Sequence, residues 1–191
     1  MKLSQMTIEQ IIEKFGKPIR YPSDYMELSH EIGKTVGQPI STNTVKRLLG
    51  FIVEDREPRL YTLDIISKYL GYENWDNYID RSYSHGIKYS EIQQLNGIRY
   101  DDLQINDQIE FHYSPDRIVI IQKISKEGLF QVIKAVNCTL QVGDQIKVHQ
   151  FIMNYPLFVD KIIRNGDDMG SYIAGKIGGI TYLKKLAMCQ D

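Results

Sequence analysis

The apolar positions of this chain change period near residue 84. Before it they recur three and four residues apart, the spacing of one helical face; after it they alternate, as along strands with one buried side. Five helices are expected in the first part. Ile8, Ile11, Ile12 and Phe15 mark the first, with Thr7 and Gln10 spaced as a capping box and Gly16 as its stop. The second enters at Pro22-Ser23, places Asp24 and Glu27 where acids favour the helix dipole, and runs through Leu28, Ile32 and Val36 to Gly37. Val45, Leu48 and Leu49 give the third, opened by Ser41 or Thr42 and ended by Gly50. Leu63, Ile66 and Leu70 give the fourth, ended by Gly71, and Trp75, Tyr78 and Ile79 a short fifth that starts at Asn74.

Beyond Ser84 the runs DQIEFHYS, RIVIIQKI, LFQVIKAV, DQIKVHQFI, PLFVDKII, SYIAG and GITYL are short, β-branched and aromatic, and are separated by Pro, Gly, Asp or Asn. That pattern predicts an antiparallel barrel or sandwich, of which the barrel is the expectation. The expected fold class is α+β: a five-helix bundle over 1–82, a linker over 83–97 and a barrel over 98–191. Within the barrel, LQINDQIEF at 103–111 returns 37 residues later as LQVGDQIKV at 140–148. Each copy reads as turn, strand, Pro-bearing break and strand, which implies two halves related by a pseudo-twofold axis. Asn106 and Gly143 occupy the same turn position and are expected at positive φ. The Asp after each is expected to bond the turn's own backbone.

Composition narrows the function. No apolar run approaches the ~20 residues that span a bilayer, and the opening MKLSQMTIEQIIEKFG carries charges within its apolar spacing and no small-residue cleavage site. A cytoplasmic protein without membrane attachment is expected. Cys138 and Cys189 lie far apart, which fits a reducing compartment without a disulfide framework. The net charge of -1 excludes a non-specific nucleic-acid coat, so any nucleic-acid contact must be local. Such a bias exists from Gly33 to Val53, where Lys34, Lys46 and Arg47 meet no acid.

That stretch holds the strongest functional signal. A helix closed by glycine, a short turn, and a second helix beginning STNT and followed by KR have the form of a helix-turn-helix, whose second helix enters the major groove. With Val45, Leu48 and Leu49 facing inward, Ser41, Thr42, Asn43, Lys46 and Arg47 are the candidate DNA-reading residues. Asn can pair bidentately with adenine, Arg or Lys with guanine, and Thr can meet a methyl or a phosphate. Lys34, Arg56 and Arg59 are candidate phosphate contacts. PISTNTVKRLLGF and the fourth-helix run PRLYTLDIISKYLGYENWDNY resemble the lambda-repressor-like helix-turn-helix fold. With LQVGDQI downstream, the chain is similar to a largely uncharacterised family of two-domain bacterial proteins that join this module to a small β-barrel with duplicated Gly-Asp turns. The resemblance implies a transcriptional regulator on double-stranded DNA, with the barrel sensing a ligand or holding an oligomer; a homodimer is expected because one small module buries too little surface for selective binding. One departure is the insertion of Gln38 and Pro39 between Gly37 and Ile40, which lengthens the turn and changes the angle between the helices. Contact with a protein partner through the same surface is the rival reading.

Other motifs carry less. GSYIAGKI at 170–177 fits the phosphate-cradling spacing but puts Ile177 where a magnesium-binding hydroxyl belongs, and the GGITYL that follows reads as a strand; a β-hairpin from SYIAG into ITYL is expected instead. Of His30, His85, His112 and His149, the last two stand at equivalent places in the repeat and form a candidate ligand site in the barrel, without the third ligand a metal needs. No nucleophile-and-base arrangement can be assembled, so neither an enzyme nor a cofactor is expected.

Overall fold

The computed structural model describes residues 2–54, 56–84 and 97–186. Most of the linker expected at 83–97, together with His85 and Cys189, lies outside them. The fold class is α+β, in two compact units, Met1–Gln94 and Leu95–Asp191. Among the described residues no helix is long and apolar enough to cross a membrane.

The first unit is helical: α1 Gln5–Phe15, α2 Pro22–Val36, α3 Thr42–Leu48, α4 Leu60–Leu70 and α5 Trp75–Ser84. Its core takes the apolar face of each, with Ile11, Leu28, Ile32, Val45, Leu48, Leu63, Ile66, Tyr78 and Ile79 all buried. The start of α1 differs from expectation. Ser4, not Thr7, is the N-cap, its hydroxyl accepting the Thr7 N–H. Thr7 and Gln10 serve a tertiary contact instead, since the Tyr78 hydroxyl on α5 lies 3.0 Å from Thr7 Oγ1 and 2.7 Å from Gln10 Oε1. A capping box and a polar clamp share the same spacing, and the serine three residues earlier takes the cap. At the head of α2, Asp24 Oδ2 accepts the N–H groups of Arg20 and Tyr21, and these hold its carboxyl below the usual range.

The second unit is a mostly antiparallel sheet structure. Its strands are β1 Ile98–Arg99, β2 Gln108–Tyr113, β3 Arg117–Lys123, β4 Leu129–Val136, β5 Gln145–Lys147, β6 Gln150–Phe151, β7 Leu157–Val159, β8 Lys161–Arg164, β9 Asp167–Asp168, β10 Tyr172–Ala174 and β11 Ile180–Leu186. The expected closed barrel is not found. Seven strands run in the order β11-β2-β3-β4-β5-β8-β9, and β1-β6 and β7-β10 pair separately. Closure would require β9 to meet β11, but β9 is two exposed aspartates long, a charged edge of the kind that discourages pairing. The expected hairpin from SYIAG into ITYL is corrected too: β10 pairs with β7, and β11 with β2. The segment between them still turns tightly, the Gly179 N–H donating to the Gly175 carbonyl at 2.8 Å, and Gly179 also allows a close approach, since a Cβ there would stand 2.3 Å from the Asn154 carbonyl carbon.

The turns that open the two repeat copies fold alike, but the strands beyond them do not: β2 runs unbroken and pairs with β3, whereas the second copy divides into β5, paired with β8, and β6, paired with β1. Asn106 and Gly143 both take positive φ, 75° and 95°. The Asp that follows accepts the N–H three residues back: Gln104 to Asp107 at 2.7 Å, Gln141 to Asp144 at 2.8 Å. Asn106 and Gly143 donate across to Lys123 and Val132. On the first copy's side Lys123 is an inward lysine, its ammonium spent on the carbonyls of Tyr100 and Leu103 at 2.6 and 2.7 Å. The pairing registers also align Gln108, Gln122, Gln131 and Gln145 side by side across four strands, on the face opposite the core. That row is invisible in the linear sequence.

Candidate nucleic-acid interface

The turn between α2 and α3 is built from few fixed points. Gly37 closes α2 in the left-handed conformation and returns its N–H to Gly33. The buried Ser29 hydroxyl donates to the Ile40 carbonyl at 2.6 Å, and Ile40 itself is buried, so the Gln38-Pro39 insertion bulges from an anchored turn. Ser41 is the N-cap of α3: its hydroxyl accepts the Thr44 N–H at 3.1 Å and shares a hydrogen bond with the Thr44 hydroxyl. Val45 and Leu48 pack inward. Ser41 and Asn43 are exposed and Thr42, Lys46 and Arg47 half-buried.

The far end of α3 closes in a Schellman arrangement, Phe51 N–H to Lys46 carbonyl and Gly50 N–H to Arg47 carbonyl. This folds Phe51 back so that its ring meets Tyr25 at 5.1 Å and underlies the Lys46 ammonium at 5.6 Å, within cation–π range. Arg47 is committed differently. Its Nη1 donates to Glu54 Oε2 at 2.7 Å and its Nε to the Asn43 carbonyl at 3.3 Å. The guanidinium in turn holds the Glu54 carboxyl below the usual range.

Lys34, Thr42, Arg47, Arg56 and Arg59 fall on two concavities, whereas Ser41, Asn43 and Lys46 line neither. One, lined by Met26, Ser29, His30, Gly33, Lys34, Pro39, Ile40 and Thr42, joins Lys34 to the start of α3 and has no acidic side chain. The other gathers Thr44, Arg47, Arg56, Arg59 and Thr62 with Glu54 and Glu57. Arg59 is the N-cap of α4 without a side-chain cap bond. The sequence gives no sign of the Arg47–Glu54 pair, because an acid seven residues after a helical arginine lies beyond the spacing at which helical neighbours meet. His30 was one histidine among four, and its place in the first concavity follows from Met26 and Lys34 lying one turn to either side on α2.

The histidines of the repeat are taken up by separate neighbours. His112 Nε2 lies 2.8 Å from Glu110 and its ring stacks on Tyr182, whereas His149 Nε2 lies 2.7 Å from Asp160 and its ring meets Tyr100 edge-on. Among the described residues no group of three or more His, Cys, Asp or Glu is placed to hold a metal. Compared with protein families, with curated proteins and with solved structures, the chain matches none.

Proposed function

We propose that the helical unit binds double-stranded DNA and that the chain is a cytoplasmic transcriptional regulator. The carrying observation is the first turn of α3. Ser41 spends its hydroxyl on the cap and Val45 and Leu48 are buried, which leaves Thr42 and Asn43 facing outward beside Lys46 and an acid-free concavity. That is the part of a recognition helix that meets base edges, with the lambda-repressor-like arrangement as the docking frame. In this reading Thr42 and Asn43 read bases, and Lys46 reads a base or leaves Phe51 for a phosphate. Lys34, Arg56 and Arg59 neutralise the backbone. Arg47 joins them once Glu54 lets go. One such module buries too little surface for selective binding, so a homodimer is the binding form. The sheet unit, a product of the duplicated turn, supplies oligomerisation or ligand sensing, and no catalytic role is assigned. Titration of genomic duplex fragments with the full chain, and with Asn43→Ala/Lys46→Ala, tests it; binding lost in the variant and weakened by salt is expected.

A second reading, an interaction module for a protein partner, is favoured by one feature. Phe51, Val53, Leu60 and Tyr61, between the end of α3 and the first turn of α4, are 57%, 90%, 61% and 58% exposed. Val53→Ser/Tyr61→Ser separates the two: a DNA-binding unit keeps its duplex affinity, and an interaction module loses its partner.

A further inference from the structure

We propose that Glu54 occupies, in the free protein, the place at Arg47 that a DNA phosphate takes in the complex, so that this one carboxylate sets how tightly the helical unit holds a duplex. The inference rests on the DNA reading of α3.

Arg47 is held in an ordered position. Its Nε donates to the Asn43 carbonyl one turn back, and Nη1 reaches Glu54 at 2.7 Å. Glu54 comes from the segment between α3 and α4. Arg56 lies two residues on, close enough to help hold the Glu54 carboxyl ionised, and Arg59 stands at the head of α4 on the same concavity. Three guanidinium groups from a helix, a loop and a helix N-cap therefore converge around carboxylates. A carboxylate and a phosphate present the same pair of acceptor oxygens to a guanidinium, and a phosphate within a duplex adds the field of its neighbours.

The exchange is accessible. The side chains of Arg47 and Glu54 are 37% and 36% exposed, so a phosphate can approach without opening the core. Ion pairs this exposed are weak, and many contribute almost nothing measurable. Nothing in the fold of α3 depends on the pair: its cap is Ser41, its buried face is Val45 and Leu48, and its last turn is closed by Gly50 and Phe51. Glu54 is therefore a competitor for Arg47 rather than its support. Acting through Arg47, it is a positioning residue that lowers affinity.

The test is a fluorescence-anisotropy titration of labelled genomic duplex fragments with the full chain at low salt, comparing wild type, Glu54→Gln, Arg47→Ala and the double variant. Glu54→Gln keeps the side chain's shape and removes the charge; it is expected to bind roughly twofold to fivefold tighter, the scale of one exposed ion pair. Glu54→Ala must shift affinity in the same direction. In the Arg47→Ala background the gain must vanish, because the competitor has lost its target. Unchanged or weaker binding by Glu54→Gln overturns the proposal and makes the pair a brace. A gain that persists without Arg47 also overturns it, as a general charge effect. If wild type binds and these comparisons fail, this inference alone falls; if neither wild type nor Glu54→Gln binds at low salt, the DNA reading falls and takes it along.

Discussion

Arg164 grips Asp144 with two parallel hydrogen bonds, Nε to Oδ1 and Nη2 to Oδ2, both 2.8 Å, at the turn that opens the second repeat copy. The matching Asp107 is held by Lys185 at 2.5 Å. The side chain of Asp144 is 1% exposed, so losing its partner strands a buried charge. Arg164→Ala is expected to destabilise the sheet unit by about 3 kcal/mol. Lys185→Ala should cost about 1 kcal/mol, since that lysine is half-exposed and makes one contact where the more buried Arg164 makes two. Chemical denaturation of the full chain, followed by the sheet signal, measures both; equal costs would contradict the assigned difference.

Acid stability follows from the same pairs. Arg164 holds the Asp144 carboxyl below its ordinary value of 3.8. Burial pushes Asp107 up, but Lys185 and the Gln104 N–H outweigh it and hold that carboxyl down as well. A folded-state value below the unfolded one contributes stability that is complete above the unfolded value and is lost as pH falls through the folded one. Melting temperature should therefore be nearly flat above about pH 5 and drop below about pH 4. Asp144→Asn should melt lower at neutral pH and lose less on acidification.

The duplicated turn can be tested by exchange. No atom lies within 4 Å of where a Cβ would stand on Gly143, and Asn106 already holds the equivalent conformation. Gly143→Asn should cost less than about 1 kcal/mol, and Gly143→Val more, because a β-branched residue resists positive φ. Gly179→Ala is of another order: its Cβ would collide with the Asn154 backbone, and loss of a cooperative melt for the sheet unit is expected.

The turn between α2 and α3 has its own signature. Ser41→Ala removes the cap of α3 and should cost about 1 kcal/mol. Ser29→Ala leaves the Ile40 carbonyl without its buried donor, at about 1–2 kcal/mol. Hydrogen exchange should localise both effects to residues 38–48, and uniform loss of protection across the helical unit would contradict that.

Much of this was legible in the sequence. The change of period near residue 84 separated helices from strands, and the glycine stops after α1, α2 and α4 were readable because the left-handed cap has a local chemical signature. The turn chemistry of Asn106 and Gly143 was readable for the same reason. Strand partners were not. Alternation shows which face of β10 or β11 is buried and nothing about which neighbour it joins, so a hairpin between them was the local guess and two separate pairings the outcome. The Arg47–Glu54 pair and the clamp from Tyr78 to Thr7 and Gln10 also lie beyond local pattern, because the first depends on the path of the α3–α4 segment and the second on how α1 and α5 pack.

On the proposed reading the outer side of α3 meets duplex DNA. Anisotropy titration of genomic duplex fragments with the full chain over a low-salt series, set against Asn43→Ala/Lys46→Ala, measures this without intermediaries. Binding whose logarithm falls linearly with the logarithm of salt concentration, and which the double substitution abolishes, is expected. No binding at the lowest salt, or binding that ignores the substitution, would contradict it.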